Sequence, residues 1–168
     1  MNRKKLDLTR HAPPGYDLKA EKGLFFAGMV LSILYSLFPF GNRFSNHLAE
    51  LYWINGSTKT LKAGAIMPDF VEILDGTLVG FFVLSACFLA QIAAHYVYHY
   101  QGSKSIYTMR RLPSRWELHR RCLTLPVLAA AIFLIMAFAI LLIFYAVYMN
   151  VTPDVCLTPG QWQKIWSV

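Results

Sequence analysis

Charge is scarce in this chain of 168 residues: 15% of positions are Asp, Glu, Lys or Arg, against roughly 25% in an ordinary soluble domain. Three long apolar blocks contain none at all. Cysteine is sparse as well. Cys87, Cys122 and Cys156 stand in no CxxC or Cys–His spacing, which excludes a disulfide framework and a zinc site, so they read as small apolar residues. No GxxxxGK[ST] phosphate loop, GxSxG elbow or Ser-His-Asp order is present, which removes the usual sequence marks of intrinsic catalysis. With 56% hydrophobic residues gathered into blocks, a disordered, collagen-like or disulfide-dense chain is excluded. A soluble enzyme is disfavoured.

The blocks are residues 23–41, 77–98 and 123–151. At 1.5 Å per residue each is long enough, as a helix, to cross about 30 Å of hydrocarbon. Backbone polar groups in lipid must be satisfied within the segment, so each block is expected to be helical. The expectation is an all-α integral membrane protein forming a single membrane domain over 1–168. It has three transmembrane helices plus short amphipathic and coupling-type helices.

Orientation follows from Lys and Arg in the connecting segments. Residues 1–22 carry Arg3, Lys4, Lys5, Arg10, Lys19 and Lys22. Residues 42–76 carry Arg43, Lys59 and Lys62 against Glu50, Asp69, Glu72 and Asp75. Residues 99–122 again carry six, Lys104, Arg110, Arg111, Arg115, Arg120 and Arg121, and the tail 152–168 only Lys164. The alternation places the N-terminus and 99–122 in the cytoplasm, and 42–76 and the C-terminal tail outside a plasma membrane. The basic start does not make the first block a cleaved signal, since Asn42, Arg43 and Phe44 supply no small-x-small site after it.

Between the blocks, local signals predict smaller elements. Pro13-Pro14-Gly15 breaks the chain, and the residues after it suit a short helix on the inner membrane surface. Phe44, Leu48, Leu51 and Tyr52 share one helical face, with Ser45 or Asn46 as cap and Asn55-Gly56-Ser57 as terminator. Tyr52 and Trp53 suit a headgroup belt. Met67-Pro68-Asp69 reads as a new helix start that runs on into the second block. Within and just before that block, Gly76 and Gly80, then Ala86, Ala90 and Ala94, recur every four residues as a face for close helix packing.

Candidate chemistry is thin. His95 and His99 stand at i, i+4 and face one way, which is haem- or metal-ligand spacing, although HYVYHYQG also has the makeup of an aromatic interface belt. Only His47 and His119 are plausible extra ligands, and the topology puts His47 across the membrane. No Asp, Glu, Lys or Arg lies inside the blocks, and Gln91, with Ser32, Ser36 and Ser85, suits helix–helix hydrogen bonding. No metal, cofactor or nucleic acid is expected on this chain.

The most informative stretch is 99–122. Ile106, Tyr107, Met109 and Leu112 form an apolar side beside the Arg110-Arg111 pair, Pro113 ends it, and Ser114 with Glu117 forms a capping box for a helix leading into the third block. SIYTMRRLPSRWELHRR resembles the inner loop of type-2 ABC transporter permeases from Gram-positive bacteria, where a Tyr, a Leu-Pro and a following Arg-x-Glu recur. The resemblance covers about 25 residues and reaches Tyr107, Arg110, Arg111, Leu112, Pro113, Arg115 and Glu117. It implies a non-catalytic subunit that docks a cytosolic ATPase through this loop, with ATP and Mg bound by that partner. The expected contacts are Ile106, Tyr107, Met109, Arg110, Arg111, Leu112, Arg115 and Glu117. Such permeases usually have six spans, so three spans resemble an N-terminal half, completed by another permease subunit or a second copy. The remaining alternatives are an accessory protein packed against other membrane subunits and a haem-carrying three-helix anchor of a redox enzyme.

Overall fold

A computed structural model describes residues 18–55, 58–101 and 115–167. Its elements in order are α1 (Leu18–Glu50), β1 (Tyr52–Asn55), β2 (Thr58–Leu61), α2 (Phe70–Leu74), α3 (Val79–Gln101) and α4 (Arg115–Val151). A 3-10 turn (Asp154–Cys156) and α5 (Gln161–Trp166) follow. The chain is mostly helical, and among the described residues three helices are long and apolar enough to cross a membrane: Lys19–Glu50, Val79–Val97 and Cys122–Val151.

Two compact units divide the chain, Met1–Val30 with Phe81–Ile135, and Leu31–Gly80 with Met136–Val168. In the first unit Phe81, Phe88 and Phe133 are buried. Phe25 meets the Phe88 and Phe133 rings edge-on at 5.9 and 5.4 Å. The buried line of α3 is Phe81, Ser85, Phe88 and His95, residues spaced to lie on one helical face. Gly28 lets α1 come close here, since a Cβ there would stand 3.0 Å from Leu84 Cδ1. In lipid such contacts hold by close packing, because the surroundings are as apolar as the side chains themselves.

The second unit is aromatic at its centre. Phe40 stacks on Phe144 with centroids 3.9 Å apart, and Phe70 packs against Tyr145 and Tyr148. Around this centre α2 and the C-terminal segment are tied together. Met67 N–H donates to the Cys156 carbonyl at 2.9 Å, and Tyr148 O–H donates to the Pro68 carbonyl at 2.9 Å. Asp69 occupies the N-cap of α2 without a side-chain cap bond. The cap is supplied instead by Gln161, whose Oε1 accepts the Phe70 N–H at 2.9 Å. The Asp69 carboxylate turns to the tail, accepting from Thr158 at 2.7 Å, Gln161 at 3.0 Å and Lys164 at 2.7 Å. The Lys164 ammonium, with those two further donors, holds the Asp69 carboxyl down at about 2.

Four local expectations change. The face of Phe44 and Leu48 belongs to no separate helix: α1 passes through Pro39 and Ser45 unbroken to Glu50, and Ser45 donates back to the Asn42 carbonyl. Tyr52–Asn55 and Thr58–Leu61 pair as antiparallel strands, with Tyr52 opposite Leu61 and Asn55 opposite Thr58, so the chain is not purely α. Tyr-Trp-Ile and Thr-Lys-Thr are aromatic and β-branched runs on either side of a two-residue spacing, which favours strands over a helix end. The helix that starts after Pro68-Asp69 stops at Leu74, because Gly76 takes φ +69° before α3 begins at Val79. At the other end of the chain's first block, α1 already includes residues 18–22, which continue into it without a separate surface helix.

Candidate functional site

A polar cluster lies in the first unit where α1, α3 and α4 come together. Its origin is Pro126. Proline has no N–H to give the carbonyl four residues back, so the Cys122 carbonyl lacks its ordinary helical donor. His95 stands in, with Nδ1 3.3 Å from that carbonyl and the ring fully buried. A carbonyl only accepts, so Nδ1 carries the proton of this contact. Nε2 is left facing α1, where it lies 4.0 Å from Glu21 Oε1.

The Glu21 side chain is only 9% exposed, and its Oε2 has no hydrogen-bond partner among the described residues. Beside Glu21 and His95, Tyr96 O–H and His119 Nδ1 are 2.7 Å apart. Farther along, Ser85 Oγ donates to the Ala130 carbonyl at 3.4 Å.

Next to Glu21 opens a cleft of about 370 Å³. Glu21 and Lys22 are its charged lining residues, and Phe25, Phe88, Leu125, Leu128 and Ile132 are among its apolar walls. Its volume falls within the roughly 300–1,000 Å³ of small-molecule sites, and a few polar groups above an apolar body is the usual makeup of such sites. The arrangement suits an amphiphile. It offers no nucleophile–base pair, and no group of three or more possible metal ligands occurs among the described residues.

The expected site residues fall out as follows. Ile106, Tyr107, Met109, Arg110, Arg111 and Leu112 lie outside the described residues. Arg115 and Glu117 fall in the first turn of α4, and the backbone of His99 lies in α3. His95 is held by Cys122 and Glu21. Gly80 packs against Ser32 and Tyr35, with an added Cβ 3.5 Å from Ser32 Oγ. Gly76 makes the turn before α3, and Ala86, Ala90 and Ala94 are exposed along α3 in the single chain. Glu21 escapes the sequence reading because the charge-free run of the first block begins at Gly23, two residues after it. The signal that was available is helical spacing: Glu21 lies four residues before Phe25, on the face that α1 buries.

Comparison of the chain with protein-family models, with curated proteins and with solved structures finds no match.

Proposed function

We propose that the chain is a multi-pass subunit of the plasma membrane, without catalytic chemistry of its own, that docks a cytosolic ABC-type ATPase through residues 99–122. Its N-terminus and this loop face the cytoplasm, and the C-terminal tail lies outside. The observation that supports the reading is α4. One unbroken helix, Arg115–Val151, begins at the end of the loop and contains the whole third apolar block. A contact made by 106–112 is therefore joined to a membrane span with no turn from Arg115 onward. Bulky side chains seated in a partner groove, with Arg110 and Arg111 at its rim, would give such a contact its energy and its orientation respectively. The exposed Ala86, Ala90 and Ala94 on α3 suit a second permease subunit or a second copy, since small residues permit close helix approach in lipid.

The test is the double substitution Tyr107→Ala with Leu112→Ala. Losing a hot-spot side chain costs about 2 kcal/mol of docking, or roughly thirtyfold in affinity. The variant should insert normally yet lose co-purification of the ATPase and the stimulation of its ATP turnover. Wild-type values for both would leave 99–122 as a membrane anchor only. A Soret band in the purified protein would favour the redox-anchor alternative instead.

A further inference from the structure

We propose that α5 is an interfacial anchor, with the indoles of Trp162 and Trp166 seated in the headgroup layer of the leaflet at the Val151 end of α4. The inference rests on the membrane-spanning part of the reading above, which makes that leaflet the outer one, and is independent of any ATPase.

The first observation is the polarity of α5, Gln161–Trp166. Gln161 and Lys164, three apart, share one face, and Trp162 and Trp166, four apart, share another. A surface helix of a water-soluble domain turns its apolar face inward and its polar face out. Here the polar face is the one tied to the rest of the chain. Gln161 is 4% exposed, its Oε1 accepts the Phe70 N–H, and its Nε2 donates to Asp69 Oδ1. Lys164 Nζ donates to the same carboxylate oxygen at 2.7 Å. The aromatic face is left outward: Trp166 is 65% exposed, and Trp162 meets it edge-on at 6.0 Å. Rolling α5 to hide its indoles would break the bonds to Asp69 and Phe70.

The second observation is depth. Trp162 packs edge-on against Tyr145, with ring centroids 5.1 Å apart. The apolar helix Cys122–Val151 has 30 residues, about 45 Å at 1.5 Å per residue, which matches the roughly 40–45 Å of a bilayer with its headgroups. About 30 Å of that is hydrocarbon, so a helix centred in the bilayer has roughly 7 Å of headgroup layer at each end. Tyr145 lies six residues before Val151, about 9 Å along the axis, and helical side chains lean towards the N-terminus. Its ring therefore stands where headgroup gives way to hydrocarbon. The chain leaves the span at Val151 and, in α5, has come back to that level.

The occupant follows from what the aromatic face continues. Leu142 and Met149, three before and four after Tyr145 on the same side of α4, are exposed apolar residues of the span, a surface that lipid covers. Tyr145, Trp162 and Trp166 extend that surface ring by ring to the end of α5. An indole has a broad apolar body and one N–H donor, which suits a layer apolar on one side and wet on the other.

The experiment uses the full chain with Trp53→Phe and Trp116→Phe, which leaves the α5 indoles as its only tryptophans, reconstituted into phosphatidylcholine vesicles. Bromine is carried on the acyl chains near the carbonyl end in one preparation and near the methyl end in another. The third quencher is iodide, in the water on both sides of the bilayer. The loss of emission should be largest with the shallow bromines, smaller with the deep ones and smallest with iodide. If the two Phe substitutions do not fold, the unaltered chain decides. A phospholipid with a photoreactive group just below its headgroup should label residues 161–166, read by peptide mass spectrometry. Strongest quenching by iodide or by the deep bromines, protection from all three quenchers (a second copy covering the face), or no lipid label on 161–166 would each overturn the proposal. Extraction of the chain from membranes by alkaline carbonate would overturn the membrane reading and this proposal with it. Any of the other results in a carbonate-resistant chain overturns the role of α5 alone.

Discussion

Gln161→Ala isolates the cap that α2 receives from the far end of the chain. Gln161 is 4% exposed and works in two directions. Its Oε1 accepts the Phe70 N–H, and its Nε2 donates to Asp69 Oδ1, to the Thr158 carbonyl and to Thr158 Oγ1. Asp69 keeps Thr158 and Lys164 after the change, so its loss is small. Phe70 keeps nothing. Its side chain is fully buried, and an orphaned backbone N–H in such surroundings costs about 1–3 kcal/mol, the upper end applying when water cannot enter the gap. A central figure of about 2 kcal/mol corresponds to roughly thirtyfold faster opening at this point. Amide hydrogen exchange of the Phe70 peptide, measured by mass spectrometry on the whole protein in detergent, reads that opening directly. The control is Gln163→Ala, an exposed position on the same short helix, expected to change stability by no more than about 0.5 kcal/mol. Exchange at Phe70 indistinguishable between the two variants would refute the capping argument, whatever happened elsewhere.

Two further outcomes follow from the same unit and its neighbours. Asp69 is held at about 2, below its ordinary value of 3.8, so the stability it lends is fully present above about pH 4 and is lost as pH falls towards 2. Lys164 and Asp69 are 37% and 40% exposed, so solvent screening keeps the amplitude under about 1 kcal/mol. Tryptophan emission followed over that pH range should show the transition in the wild type and not in Asp69→Asn. Gly76→Ala and Gly23→Ala should differ in sign although neither added Cβ meets another atom within 4 Å. Gly76 sits at φ +69°, where a side chain costs about 1 kcal/mol, whereas Gly23 is helical, where alanine gains about as much. Thermal unfolding of both variants in one detergent checks this, and a shift of the same sign in both would count against it.

What the sequence made legible was whatever it repeats over many residues. Three charge-free blocks predicted three long helices, because twenty apolar positions in a row leave few alternatives. The start of α2 was legible from Pro68 and Asp69, two residues with strong positional meaning. Its end was not, since Gly76 fitted a packing stripe as well as a turn, and only its backbone angle separates the two. The hairpin was lost for a similar reason. Asn55-Gly56 ends helices and joins strands with equal ease, and the flanking runs are too short for periodicity to choose. The Glu21–His95 contact was beyond reach because it depends on where α1 meets α3, and no local pattern records that. Pro126 was visible all along as a missing donor, but which side chain would answer the Cys122 carbonyl is a matter of packing.

The cap on α2 also carries a timetable. Phe70 and Gln161 are 91 residues apart, and synthesis adds about 5–20 residues per second. Roughly 5 to 18 s therefore pass between the appearance of the Phe70 N–H and that of the side chain that will accept its bond. For most of that interval the Pro68–Phe70 segment also lacks the Tyr148 hydroxyl, and Met67 lacks the Cys156 carbonyl. The nascent second unit must wait with its first half open until its last two dozen residues arrive, and a chain interrupted before Gln161 would present that half to whatever quality-control protease patrols the membrane.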